Sequence, residues 1–176
     1  MEIRFAILTI SDRSSRGERP DTSGPALARR VAENGWQVVQ QAVLPDDFNL
    51  IRETLAAWAD LDEAGTRAVD VILTTGGTGF SPRDVTPEAT QAVIERPAPG
   101  LAEAMRAASL QVTPHAMLSR ASAGIRRQTL IVNLPGSPKG AVENLEVILP
   151  VLPHAVLMMR DNPDYEAGHQ VVKRQS

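Results

Sequence analysis

The 176-residue chain contains no cysteine, which excludes disulfide bonds, thiolate catalysis and zinc sites built from cysteine. Aromatic residues make up only 3% of the chain, so no surface for stacking nucleobases is visible. The net charge of −3 and the pI near 5.6 argue against a nucleic-acid-binding protein that relies on phosphate contacts. The lack of cysteine thus removes disulfide, thiolate and cysteine-zinc chemistry from consideration, and the charge and the aromatic content argue against nucleic-acid binding.

Long apolar runs are also scarce. No run approaches the length that a transmembrane helix needs, and the N-terminus lacks a basic region followed by an apolar one. We therefore expect a cytoplasmic protein with no membrane partner. The length favours one domain with a substantial core over residues 1–160, followed by a polar tail over residues 161–176.

The most informative stretch is 71–90, with the sequence VILTTGGTGFSPRDVTPEAT. It begins as a β-branched apolar run and passes through three glycines in four positions. It then reaches a helix start, where Thr86 is the expected N-cap and Pro87 the first helical residue. Such a loop can direct several amide N–H groups at an anion. The simpler interpretation, a tight turn that needs positive φ, stays open.

Two familiar nucleotide-binding motifs do not match this loop. No Gly-Lys-Ser/Thr ending follows it, so it is not a Walker A loop. Pro82 stands where the dinucleotide fingerprint requires glycine or alanine. Its ligand has to be inferred from the loops that accompany it.

Apolar runs and helical periodicity divide the chain into alternating elements. Strands are predicted at 4–10, 36–44, 71–73 and 129–132, and helices at 25–34, 48–61, 87–95, 101–110, 141–149 and 150–160. Asp47 is expected to cap the second helix, Trp58 and Ala108 to lie on buried helix faces, and 96–100 to break the chain between two helices. Residues 111–128 receive no assignment. The alternation predicts a three-layer α/β fold with a mostly parallel central sheet and helices on both faces.

Four polar loops, SDR, PDD, GGTG and PGSPKG, follow predicted strands. Because the carboxyl ends of parallel strands lie at one edge of a sheet, we expect these loops to meet there and to bind the ligand. Ser11, Asp12, Asp21 and Ser23 belong to the first loop or directly follow it. They are either substrate contacts or ordinary turn-forming residues.

Taken together, the polar groups of these four loops suit a polyphosphate and a divalent cation. Backbone amides and Lys139, one of only two lysines, can hold phosphate oxygens. Asp46 and Asp84 can hold hydrated Mg²⁺, which prefers oxygen ligands. The alternatives are a surface charge at Lys139, a helix cap or turn at Asp46 and a loop brace at Asp84. His115 has no obvious partner, and no Ser-His-Asp arrangement supports acyl chemistry.

The string TTGGTGFSPRDVTPEAT, with ISDR before it and NLPGSPKG after it, resembles the molybdopterin adenylyltransferase family, which includes the gephyrin N-terminal domain. The resemblance extends from Ile3 to Arg160, and it implies a molybdopterin-binding-domain-like fold. It also implies adenylylation of molybdopterin with ATP and Mg²⁺, which releases pyrophosphate, and a homotrimer.

By the same resemblance, Asp84 matches the family's essential aspartate and Asp46 a second implicated one, as catalytic and metal-binding residues. The remaining positions are expected to hold the pterin and the nucleotide phosphates: Ser11, Asp12, Thr75, Gly76, Gly77, Thr78, Gly79, Ser119, Pro135, Gly136, Ser137 and Lys139. Two alternatives stay open. One is a member of the family that binds molybdopterin without transferring anything, and the other is a different nucleotide-using enzyme on the same fold.

Overall fold

The computed structural model describes residues 1–60 and 69–160. The predicted tail, 161–176, and the predicted end of the second helix at Leu61 lie outside these residues. The strands are β1 (Arg4–Ile10), β2 (Gln37–Leu44), β3 (Val71–Thr75), β4 (Arg96–Pro97), β5 (Ala123–Arg126) and β6 (Thr129–Leu134). The helices are α1 (Asp12–Ser15), α2 (Ser23–Glu33), α3 (Phe48–Ala59), α4 (Thr86–Gln91), α5 (Pro99–Leu110), α6 (Pro138–Ile148) and α7 (Leu152–Met159). Two 3-10 helices span Pro114–Leu118 and Leu149–Val151.

Within the described residues, six strands form one sheet in the order β2-β1-β3-β6-β5-β4. The first four are parallel, and β5 runs antiparallel to both of its neighbours. The buried residues of β1, β3 and β6 read as continuous apolar runs because each of these strands is covered on both faces. The mostly parallel sheet predicted from the sequence is confirmed.

Side chains alternate between two hydrophobic clusters, one on each face of the sheet. Phe5 and Ile7 of β1 point into the cluster beneath α2, α5, α6 and α7. Ala6 and Leu8 point into the cluster beneath α3 and α4. The three-layer architecture is therefore confirmed, and the period of two along a strand explains how a single apolar run supplies both cores.

Several helix boundaries differ from the sequence prediction. α2 begins at Ser23, before Pro25, because the Asp21 carboxylate accepts the amides of Ser23 and Gly24. α4 ends at Gln91 rather than at 95, and Thr86 is not its N-cap. The Thr86 hydroxyl instead donates to the carbonyl of Gly76, so a tertiary contact replaces the predicted local one. The Asp47 cap on α3 is confirmed, with its carboxylate accepting the Leu50 amide at 3.0 Å.

Of two predicted core positions, Trp58 is only partly buried and Ala108 was wrong. Ala59, not Trp58, completes the buried stripe of α3, and Trp58 only packs at the margin of the core. On α5 the buried residues are Ala102 and Met105, while Ala108 is exposed. In both helices the buried stripe lies about one residue away from the predicted one. The spacing of apolar residues indicates the helical period, but the rotation of the helix relative to the sheet depends on packing.

The stretches left without structure in the sequence analysis form the antiparallel edge of the sheet. Arg96–Pro97, predicted as a break, pairs with β5, which lies within the unassigned 111–128 region. These strands have two and four residues, too short to give an alternating pattern. Their pairing is decided by β6, which β5 joins through the tight connection at Arg127 (φ 51°).

The statement that no apolar run approaches the length of a membrane span needs correction. Pro138–Met159 spans 22 residues and contains an 18-residue window with a mean hydropathy of 1.4, which would be enough to cross a membrane by length and composition alone. This segment is α6, a 3-10 turn and α7, with the break that Pro150 and Pro153 predicted. Leu145, Ile148 and Val156 belong to the core beneath the sheet, which accounts for the apolar composition.

Candidate functional site

The carboxyl ends of β2, β1, β3 and β6 meet at one edge of the sheet. The pairings Ile10↔Leu44, Thr9↔Thr75 and Thr75↔Leu134 align these ends. β1 lies between β2 and β3, so the strand order reverses direction beside it. Ligands of open α/β sheets bind outside such a switch point. The prediction that the four polar loops share one edge is confirmed.

The glycine loop after β3 is shaped by close contacts that side chains would prevent. Gly76 has φ 103° and Gly77 has φ 63°, both in the left-handed region. A Cβ at Gly76 would lie 2.2 Å from the Ile10 carbonyl oxygen, and one at Gly77 would lie 2.3 Å from the Thr86 hydroxyl. The interpretation as a tight turn is therefore confirmed, because both glycines have positive φ and no room for a Cβ, and phosphate binding by the loop stays a prediction.

Two carboxylates lie against this loop. A Cβ on Gly77 would be 3.0 Å from an Asp46 oxygen, and a Cβ on Gly79 would be 2.9 Å from an Asp84 oxygen. Asp46 and Asp84 line the same cleft of about 550 Å³, together with Gly76, Gly77 and Ser137. The structure thus brings together both predicted catalytic residues, which are 38 positions apart in the sequence.

Asp12 connects Asp46 to the far end of the loop. The amide of each aspartate donates to the other's carboxylate, at 2.9 and 3.1 Å. Arg83 donates two hydrogen bonds to the Asp12 carboxylate, which lower the pKa of that group. Asp12 therefore organises its neighbours, and its carboxylate already has protein partners in this structure.

The pKa of Asp46 is shifted upwards, in the direction opposite to that of Asp12. Burial raises the pKa of the Asp46 carboxyl, and repulsion from Asp12 and Asp84 adds to the effect, although the Asp12 amide opposes it. Carboxylates that repel each other around one cleft are stabilised by a cation between them. This is the electrostatic feature expected of a cation site that is completed by other ligands.

The protein alone does not supply a full metal cage. Among residues 1–60 and 69–160, no group of three or more histidine, cysteine or acidic side chains is placed to hold a metal ion. Mg²⁺ commonly binds through one or two carboxylates, waters and substrate phosphates. Asp46 and Asp84 fit that kind of site, in which the substrate completes the coordination.

The second loop, Pro135-Gly136-Ser137, packs directly on the first. The Thr75 hydroxyl donates to the Pro135 carbonyl at 2.7 Å, and the Ser23 hydroxyl to the Gly136 carbonyl at 2.8 Å. A Cβ on Gly136 would lie 3.2 Å from the Gly76 Cα. Ser137 caps α6, so the first free amides of that helix open at the same edge.

A second cleft of about 320 Å³ lies on the other side of the two loops. Thr78, Gly79, Ser119 and Ser137 line it along with apolar residues of α5, including Met105, and with His115 from the first 3-10 helix. Ser137 borders both clefts. The two clefts are thus neighbouring compartments separated by the glycine loop and the Pro135–Ser137 loop.

Two predicted site residues have other local roles. Lys139 lies on α6 with its side chain 81% exposed and 3.8 Å from Glu143, as an i,i+4 surface pair. The Ser11 hydroxyl lines the first cleft but also caps α1, accepting the Ser14 amide at 3.2 Å. Phosphate binding by either side chain stays a prediction.

Sequence reasoning missed the contacts that hold the loop from a distance. Arg120 donates to the carbonyls of Gly79 and Asp84 and pairs with Glu88. Arg83, beside Asp84, pairs with Asp12. Neither arginine has a local pattern that indicates its partner, since the contacts span between 32 and 71 positions. Only the tertiary structure reveals them.

Comparison with known proteins points to one family. A protein-family profile described as "Probable molybdopterin binding domain" matches residues 6–154. Molybdopterin adenylyltransferase of Helicobacter pylori strain 26695 is 40% identical over 162 residues, covering 91% of this chain and 89% of that protein.

Longer relatives match over only part of their length. Gephyrin of Dictyostelium discoideum is 43% identical over 167 residues, which cover 89% of this chain. The chain spans 22% of the length of that gephyrin and 26% of the molybdenum cofactor synthesis protein cinnamon of Drosophila melanogaster.

Among solved structures, the molybdopterin biosynthesis enzyme MoaB from Thermus thermophilus is 50% identical, with a TM-score of 0.82. The match covers 92% of this chain and 98% of the Thermus chain. This chain therefore shares its fold with that enzyme.

Proposed function

The chain belongs to the family of probable molybdopterin-binding domains, and from that premise we propose that it is a molybdopterin adenylyltransferase of molybdenum cofactor biosynthesis. In the proposed reaction, a terminal phosphate oxygen of molybdopterin attacks the α-phosphorus of ATP. The bond from that phosphorus to the bridging oxygen breaks, and pyrophosphate leaves with the electron pair. The product is adenylylated molybdopterin.

The observation that carries this proposal is the pair of carboxylates, Asp46 and Asp84, against a glycine loop at the switch point of the sheet. The amide-rich backbone next to them suits a polyphosphate, because glycine amides approach phosphate oxygens without side-chain interference. Asp46 and Asp84 would hold Mg²⁺, which would neutralise negative charge that develops on the phosphate. The Thr86 bonds to the Gly76 and Gly77 carbonyls hold the loop in place.

We propose that each of the two clefts binds a different substrate. The cleft that contains Asp46 and Asp84 receives the triphosphate, since its carboxylates and glycine amides fit a metal-bound polyphosphate. The neighbouring cleft, with Met105 and the α5 side chains, receives the pterin rings. Ser137 borders both, so a phosphate attached to the pterin would reach the α-phosphorus there. The protein's contribution is then chiefly positioning and electrostatic stabilisation.

We also propose a homotrimer in the cytoplasm. Leu110, Val112, Met117 and Leu118 are all more than 40% exposed and lie on consecutive elements. Apolar side chains grouped on one surface favour association with another chain. ATP as co-substrate fits a cytoplasmic enzyme. Sedimentation at micromolar concentration is expected to give three times the mass of the chain, and a monomer would contradict the trimer.

The decisive experiment for the activity is incubation of the protein with molybdopterin, ATP and Mg²⁺, followed by chromatographic detection of adenylylated molybdopterin. We expect product and pyrophosphate in equal amounts, and none without the metal. Molybdopterin binding without product would favour the binding-only alternative. Product formation with unrelated phosphorylated acceptors at equal rates would favour a different nucleotidyltransferase.

A further inference from the structure

Asp84 lies at the end of an exposed loop, residues 79–84, that is anchored at its base. The Thr86 amide donates to the Gly77 carbonyl at 3.1 Å, and its hydroxyl to the Gly76 carbonyl at 2.9 Å. Inside the loop, the Ser81 amide donates to the Asp84 carboxylate at 2.9 Å. These bonds shape the loop locally, but they do not connect its outer part to the rest of the domain.

Arg83 connects the outer part of the loop to Asp12, and Arg120 makes the other connection. Its Nε donates to the Gly79 carbonyl at 2.6 Å and its Nη2 to the Asp84 carbonyl at 2.5 Å, so a single guanidinium spans both ends of the loop. Its Nη1 pairs with Glu88 of α4, and its own backbone amide donates to the Thr78 carbonyl at 2.9 Å. The side chain is 33% exposed, so these bonds are partly shielded from water.

We propose that Arg120 is a positioning residue that fixes the loop 79–84 and thereby holds the Asp84 carboxylate over the cleft toward Asp46. The bond of Arg120 to Asp84 goes to the backbone carbonyl, so Arg120 does not occupy the carboxylate, of which one oxygen accepts the Ser81 amide. The planar guanidinium fork can satisfy three acceptors at once in fixed directions. A lysine would keep the charge but not this geometry.

Two other roles for Arg120 make different predictions. If its charge acted directly on substrate phosphates, lysine would preserve most of the activity. If it only stabilised the fold, a substitution would lower the free energy of unfolding without changing the loop specifically. The positioning role predicts a local loosening of residues 79–84 and a slower chemical step, with little change in pterin affinity.

The first test is hydrogen exchange, which does not depend on any activity. In Arg120→Lys, the amides of Ser81, Arg83 and Asp84 should exchange about tenfold faster than in the parent, while the strands of the sheet stay protected. The matched control is Arg126→Lys. Arg126 makes the same kind of contacts, to the Asp60 carboxylate at 2.9 Å and the Val93 carbonyl at 3.1 Å, on a strand away from the loop. It should leave exchange at 79–84 unchanged.

The second test rests on the proposed function: single-turnover adenylylation with a parallel molybdopterin binding measurement. Arg120→Lys should lower the rate by roughly a hundredfold and change pterin affinity by less than about threefold. A parent-like exchange profile and rate in Arg120→Lys would overturn the inference. If the parent itself formed no product while the exchange difference persisted, the proposed function would fail and the positioning role of Arg120 would stand.

Glu88→Gln tests the same point if Arg120→Lys shows no cooperative unfolding transition. This change removes the charge that orients the guanidinium but leaves both carbonyl contacts possible. We expect exchange at Ser81, Arg83 and Asp84 to rise by about twofold to fivefold. Unchanged exchange in a folded Glu88→Gln protein, when Arg120→Lys cannot be measured, would count against the proposal.

Discussion

At the scale of single residues, a substitution of Asp84 distinguishes a role in catalysis from a role in substrate binding. Asp84→Asn keeps the size of the side chain and one oxygen but removes the charge that faces the cleft. We expect single-turnover adenylylation to slow by roughly a hundredfold, about 3 kcal/mol of transition-state stabilisation. Molybdopterin affinity should change far less, because the pterin cleft lies on the other side of the loop. Rapid-quench measurements beside equilibrium pterin binding give both quantities.

Asp46→Asn is the matched variant for this experiment. It removes the second carboxylate of the same cleft, and we expect a smaller loss of rate if Asp46 acts through a metal-bound water. An Asp84→Asn protein that turns over at the parent rate would show that Asp84 only braces the loop. In that case the main role of Asp84 would be to accept the hydrogen bond from the Ser81 amide.

The raised pKa of Asp46 predicts a pH dependence of cation binding. Protons compete with the metal at a carboxylate, so Mn²⁺ affinity in the presence of ATP should fall on acidification, at a pH above that expected for an ordinary aspartate. Arg83 lowers the pKa of both Asp12 and Asp46. Removing its charge in Arg83→Gln should therefore raise these pKa values and move the loss of binding to higher pH.

The measurement is Mn²⁺ binding followed by electron paramagnetic resonance from about pH 4 to about pH 7, where carboxylates with raised pKa values titrate. Arg13→Gln is the control, since Arg13 lies on the same short helix as Asp12 but is not among the charges that act on Asp46. Identical pH profiles for the parent and Arg83→Gln would contradict the assignment of Arg83.

At the scale of the elements, the glycine loop after β3 is the feature to test. Gly77→Ala would place a methyl group beside Asp46 and Thr86 in addition to straining the backbone. We expect nucleotide binding to weaken by about tenfold or more, because the backbone could no longer approach a phosphate closely. Isothermal titration with ATP and Mg²⁺ measures the loss.

Gly35→Ala is the control for backbone strain. Gly35 has φ 73°, similar to Gly77, but a Cβ there would meet nothing within 4 Å. Both variants should lose about 1 kcal/mol of folding stability from the left-handed conformation. Only Gly77→Ala should lose nucleotide affinity. Equal nucleotide affinity in the two folded variants would show that the glycine loop is only a turn and does not bind phosphate.

At the scale of the whole molecule, an ion pair between a buried aspartate and a partly exposed arginine joins segments that lie 90 positions apart in the sequence. Asp70 is fully buried at the start of β3 and accepts two bonds of 2.9 Å from Arg160, just after α7, and one of 2.8 Å from the Arg4 amide. Asp70→Asn should destabilise the fold by about 3 kcal/mol, because Arg160 would lose its charged partner in a buried setting. Urea unfolding measures the loss.

Activity per folded molecule should be unchanged in Asp70→Asn, since this pair lies at the edge of the sheet opposite to the clefts. Asp60→Asn is the comparison, because Asp60 also binds arginines but is about one-third exposed. Its removal should cost about 1 kcal/mol or less. A similar loss in both variants would mean that burial adds nothing to the Asp70 pair.

The sequence by itself determined the central strands, the alternation with helices and the loops that form the site. Continuous runs such as RFAILTI are typical of strands that are buried on both faces, and the glycines after VILTT indicate a tight loop at the end of the strand. The parallel arrangement then placed Asp46 and Asp84 at one edge. The identity of the ligand required the similarity to a family, because glycine loops and carboxylates suit many phosphate compounds.

The tertiary structure alone decided the antiparallel edge of the sheet, the phase of the helices and the contacts that support the loop 79–84. β4 and β5 are too short to carry a periodic signal, and they form because β6 offers an unpaired edge. Thr86 donates to the Gly76 carbonyl instead of acting as the predicted N-cap, and Arg120, which had no predicted partner, contacts the Gly79 and Asp84 carbonyls. Such contacts depend on which segments the fold brings within hydrogen-bonding distance, and no pattern along the chain records that distance.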